Sequence, residues 1–151
     1  MESSREINVQ IQVNIARKRL ARYWFIGCAI AFFFLLLQTV LGKFSGAEKD
    51  IWGWFLPSIM PTLLLMVGVY GAEAMRPSHA NLIVDIFIFN LARGVSIAYL
   101  LTINFTILVE PLSPLNSSQL FEMSQLWLVP LQSLAAVLIG VFFVKTNEGE
   151  N

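Results

Sequence analysis

Four apolar stretches, each meeting the roughly 20-residue length needed to cross a hydrocarbon core of about 30 Å, leave this chain of 151 residues little freedom in what it can fold into. They run Tyr23–Leu41, Trp52–Tyr70, Leu82–Val109 and Leu126–Val144. Inside lipid the backbone must satisfy its own hydrogen bonds, so such stretches become helices. The expectation is an all-α membrane protein, a bundle of four transmembrane helices. Hydrophobic residues make up 56% of the chain and charged ones only 13%, too apolar for an ordinary soluble domain. Residues 1–22 are then an N-terminal cytoplasmic segment, 23–145 the four-span domain and 146–151 a cytoplasmic tail.

Basic residues set the expected orientation. Arg5, Arg17, Lys18, Arg19 and Arg22 precede the first span, Arg76 lies between the second and third, and Lys145 follows the fourth. Lys43 and Lys49 alone fall on the other side. The positive-inside rule places both termini in the cytoplasm, in an inner or plasma membrane. Ser45-Gly46-Ala47 resembles a small-residue cleavage site. The apolar run before it is longer than a signal-peptide core, which favours an uncleaved first span.

The third stretch stands apart because it carries Asp85, Asn90, Arg93, Ser96 and Asn104. Polar and ionisable groups at membrane depth are costly and turn towards protein or a watery cavity. At 100° per residue, with Arg93 as origin, Asn104 falls at about +20°, Asn90 at about +60°, Ser96 at about −60° and Asp85 at about −80°. The five form one polar stripe, a candidate intramembrane face in need of a partner surface. Alternatively Arg93 snorkels to the nearer surface, since helical side chains lean towards the helix N-terminus. Glu73 is a candidate partner for Arg93 if the second helix continues past Tyr70.

The remaining signals are local. Residues 7–15 read Ile-Asn-Val-Gln-Ile-Gln-Val-Asn-Ile, a strict alternation that favours a strand. Ser3 and Glu6 argue instead for a helical extension. No strand partner is visible elsewhere, so a strand here is expected to join a sheet between protomers or on a partner. Arg17, Lys18, Arg19 and Arg22 form a basic cluster at the membrane surface, suited to anionic headgroups. Pro57 and Pro61 predict a kink in the second span, with Ser58 and Thr62 beside them as donors for the freed carbonyls. Pro130 predicts a further kink, early in the fourth. Glu110-Pro111 stops the third helix, and Asn116-Ser117-Ser118 offers caps for the next.

Function classes narrow by exclusion. Net charge is zero, which implies no attraction to nucleic acid. With one histidine, His79, and one cysteine, Cys28, there is no His/Cys metal cluster, and no metal or cofactor is expected. No phosphate loop or Ser/His/Asp spacing is present, so no enzyme is expected. The expected partners are the lipid bilayer and a homo-oligomer or larger membrane complex. The sequence reads as a small non-enzymatic integral membrane protein that self-assembles or serves as a membrane-embedded subunit. The alternative is an oligomeric ion channel or membrane-permeabilising effector, with its pathway lined by the polar face of the third helix.

Overall fold

The computed structural model describes residues 10–75 and 83–143. In chain order it holds β1 (Gln10–Gln12), α1 (Val13–Val40), α2 (Glu48–Met75), β2 (Ile83–Asp85), α3 (Ile86–Val109) and α4 (Ser117–Phe143). All four helices are long and apolar enough to cross a membrane. The expected all-α, four-helix membrane fold is what the chain adopts.

Each helix is bounded by recognisable chemistry. Gly42, at φ +70°, ends α1 in the left-handed conformation that glycine adopts without penalty. There the Leu41 N–H donates to the Leu37 carbonyl at 3.0 Å. Glu48 and Asp50 place negative charge in the first turn of α2, where the helix dipole favours it. Asp85 caps α3, its Oδ1 accepting the Phe87 N–H at 2.7 Å. A short 3-10 turn, Glu110–Leu112, leads out of α3.

Two expectations are corrected at the strand end of the bundle. β1 pairs antiparallel with β2, Gln10 opposite Asp85 and Gln12 opposite Ile83. The strand partner therefore lies within the chain, at the head of the third stretch, and not on a second protomer. The sequence hid it because Ile83-Val84-Asp85 merges with the apolar run of α3. Consequently α3 begins at Ile86, and Asp85 belongs to the strand and cap. Of the alternating segment, residues 10–12 form the strand and 13–15 already belong to α1, while 7–9 lie outside the described residues. So do Arg76–Leu82, with His79, and the tail from Thr146. The side chain of Glu73 is likewise not described.

The helices pack in the order α1–α3–α4–α2 around the bundle. α1 buries Leu20, Trp24, Cys28, Ala31 and Leu35, the three- and four-residue spacing of one helix face. α3 answers with Phe89, Ala92, Ser96, Tyr99, Ile103 and Ile107. Trp24 stacks at a tilt on Tyr99, ring centroids 5.6 Å apart. Gly27 lets α1 and α3 approach closely, for a Cβ there would stand 2.9 Å from a Leu100 methyl. At the opposite end, Phe44, Trp54 and Phe121 cluster, with Trp54 and Phe121 rings 4.5 Å apart.

Candidate functional site

The wheel of α3, anchored by its observed contacts, decides where the polar residues go. Its buried residues centre at about −75° from Arg93, on the scale of 100° per residue. Ser96 lies in that arc and is fully buried. Its hydroxyl has no hydrogen-bond partner among the described residues. Asn104 lies on the edge facing α1, where its amide donates to the Gly27 carbonyl at 3.2 Å and to the Leu100 carbonyl at 2.8 Å. Arg93 is half-buried on the same edge, its guanidinium over the Phe89 ring at 5.9 Å. Asn90 is exposed, further round towards the outside. Asp85 is exposed at the cap. The five residues thus divide among core, seam and surface.

Depth along the bundle is fixed by the contacts between α1 and α3. Gly27 is level with Leu100, Trp24 with Tyr99, and the Gln38 amide donates to the Ile107 carbonyl at 3.2 Å. At the strand end, Arg17 donates to the Phe142 carbonyl while Phe89 meets Phe142 ring to ring at 6.3 Å. Arg17 and Phe89 therefore share a layer. By this register Arg93 stands beside Arg19 and Leu20, at the level of the basic cluster. Its side chain reaches back one turn to Phe89, the direction that helical side chains favour.

The basic cluster is itself divided. Lys18, Arg19 and Arg22 are exposed, whereas Arg17 is buried at 2% exposure. Arg17 caps the end of α4 through the Phe142 carbonyl and lies over the Phe143 ring at 5.8 Å. A cation at a helix C-terminus faces the negative end of the helix dipole. One residue in three or four on a helix must face inward. Nothing in the run Arg17-Lys18-Arg19 says which.

The prolines of α2 form a joint with two other helices. Proline at position 61 gives no N–H to the Pro57 carbonyl, and its ring pushes the local turn apart. The Gln132 amide of α4 donates to Pro57 at 3.2 Å and to Ser58 at 3.3 Å. The Tyr99 hydroxyl of α3 donates to the same Ser58 carbonyl at 2.7 Å. The donors expected from Ser58 and Thr62 are thus supplied by other helices, and the Ser58 hydroxyl instead donates to Trp54. Pro130 of α4 is exposed.

One polar centre had no sequence signal beyond its role in ending a helix. Glu110 is buried at the loop end, where Lys43 lies 3.3 Å from one carboxylate oxygen and the Ser117 hydroxyl donates to the other at 2.5 Å. These contacts tie together the two loops at that end. Nearby, an open cavity of about 290 Å³ between α2 and α4 is lined by Asp50, Trp54, Ser118, Phe121 and Glu122. Among the described residues no three His, Cys, Asp or Glu side chains gather as a metal site.

Comparison with known proteins gives no relative: no family model, curated protein or solved structure matches the chain.

Proposed function

We propose that this is a non-enzymatic integral membrane protein that works by lateral association, with copies of itself or as a subunit of a larger membrane complex. Both termini face the cytoplasm, by the distribution of Lys and Arg.

The observation that carries this reading is the outward face of α3. Asn90, Gly94 and Ala98 recur every four residues and all three are exposed. A Cβ added at Gly94 meets nothing within 4 Å. Helices in lipid associate through small residues that let backbones approach and through side chains that hydrogen-bond across the contact. This face offers both, flanked by exposed Phe87, Leu91, Leu101 and Phe105. The large buried side chains Trp24, Tyr99, Phe142 and Phe143 fill the protomer interior. Its working parts are therefore sought on the outside of the bundle.

The test is self-association in vesicles, followed by energy transfer between labelled copies at several protein-to-lipid ratios. Gly94→Leu and Ala98→Leu should abolish it, while Val137→Leu on the outer face of α4 should not. Energy transfer no greater than for a monomeric membrane standard removes the self-assembly branch. Failure to capture any membrane protein by cross-linking through α3 in native membranes would remove the other.

A further inference from the structure

We propose that the seam between α1 and α3, at the strand end, holds the headgroup phosphate of an anionic phospholipid between Arg19 and Arg93. This seam shares Asn90 alone with the association face of α3, and the two arginines that hold the phosphate lie outside that face.

Rotation about each helix places the residues. On α1, Gly27 and Gln38 contact α3, while Thr39 and Phe32 contact Trp52 of α2. With Trp24 as origin and 100° per residue, the side of α1 towards α3 lies at about −50° and the side towards α2 at about +70°. Arg19 falls at about −140° and Tyr23 at about −100°, both flanking α3. Lys18 falls at about +120°, flanking α2. On α3, Leu100 and Asn104 mark the side towards α1. Arg93 shares that side, and Asn90 lies next to it.

The register places these groups at one level. Arg93 stands opposite Leu20, so it lies within about one helical turn, 5.4 Å, of Arg19 along the axis. Two guanidiniums, an amide from Asn90 and the phenol of Tyr23 thus border one groove at the membrane surface. Asp85 is exposed but about 12 Å along the axis from Arg93, and its carboxylate is engaged by the Phe87 N–H. Positive charge in the groove is unbalanced by α1 or α3. Below it, exposed Ile26 and Ile30 on α1 and half-buried Ile97 on α3 offer an apolar track for an acyl chain. Guanidinium forks match phosphate oxygens in geometry as well as charge. A phospholipid supplies both the phosphate and the chain.

The experiment is native mass spectrometry of the full-length protein from phosphatidylcholine vesicles with and without phosphatidylglycerol. The wild type should retain phosphatidylglycerol in preference to phosphatidylcholine. Arg93→Gln and Arg19→Gln should each weaken that retention about fivefold, the factor that corresponds to about 1 kcal/mol for one basic group at an anionic surface. Lys18→Gln, on the other flank of α1, should leave it unchanged, with helicity checked by circular dichroism for each variant. Equal retention of the two lipids overturns the proposal. So does a loss in Lys18→Gln as large as in Arg93→Gln, which would make the attraction general to the basic end. Competition by soluble glycerol phosphate overturns the lipid as the source of the phosphate.

Discussion

The Gln132 amide donates at 3.2 Å to the Pro57 carbonyl, the very group that Pro61, four residues on, leaves without an N–H donor. A side chain from α4 thus replaces a backbone bond missing from α2. The Tyr99 hydroxyl joins it on the neighbouring Ser58 carbonyl, so three helices meet at the Pro57–Pro61 turn. In lipid no water reaches a freed carbonyl, and a proline is tolerated where neighbouring helices re-satisfy the backbone.

That arrangement predicts a coupling that simple packing does not. Gln132→Leu should destabilise the bundle by about 0.5–1.5 kcal/mol, the net worth of a hydrogen bond. In a Pro61→Ala background the backbone N–H returns, and the same substitution should cost measurably less. A double-mutant cycle on unfolding in mixed micelles reads the difference. Equal costs in the two backgrounds would show that Gln132 does not stand in for the proline's missing donor.

Tyr99→Phe isolates the second bond while keeping the ring that stacks on Trp24. The expected loss is about 1 kcal/mol, with no change in helix content. Because Tyr99 and Gln132 share the Ser58 carbonyl, either one alone keeps it satisfied, and the double variant should lose more than the sum of the two. Unfolding by steric trapping in lipid checks both numbers.

How much of this was legible depends on what hydropathy reports. Four spans were legible, because crossing a bilayer demands length and apolarity that nothing else in a short chain mimics. Which face of each span turns inward was not. On α1, Leu35 is buried while Phe33 and Leu36 are exposed, and all three are equally apolar. Lipid tails are as apolar as leucine, so no hydrophobic contrast separates the faces. The polar residues of α3 were legible as unusual, but their level was not. Arg93 lies beside the basic cluster because α1 begins at Val13, nearly three turns before its apolar run starts. Arg17 was hidden for a related reason: its partner, the Phe142 carbonyl, is 125 residues away.

Arg17 makes a prediction of its own. Hydrogen bonds to a charged group contribute about 1.5–3 kcal/mol, so Arg17→Met should destabilise by that order, although its chain still fills the site. Arg17→Lys should recover part of the loss, because a cation remains at the C-terminal end of α4. Lys18→Met, at an exposed position, should change little. Thermal unfolding in detergent, compared across the three, separates burial of the guanidinium from general surface charge.

Ser96 distinguishes a lining role from a packing one. Its hydroxyl is buried with no partner among the described residues, and such a group carries a desolvation cost of about 1–3 kcal/mol. Ser96→Ala should therefore be neutral or stabilising. If Ser96 instead bordered a water-filled pathway between copies, the substitution would alter ion flux in liposomes. The expected result is unchanged flux with equal or higher stability.

The Lys43–Glu110 pair tests whether the loop end is held electrostatically. Glu110 is buried to 5% exposure, while the Lys43 side chain keeps 34%. Removing one partner of a fully buried pair costs about 3–5 kcal/mol. Solvent at Lys43 screens this pair, so Lys43→Ala should cost nearer to 1–2 kcal/mol. Glu110→Gln keeps an oxygen for the Ser117 hydroxyl and should cost less. Lys43→Ala should then be almost silent in the Glu110→Gln background, because the charge it would strand is gone. Unfolding free energies for the four proteins of that cycle decide it. If Lys43→Ala costs the same with and without the carboxylate, the two loops are joined by packing of Phe44 against Phe121 rather than by the ion pair.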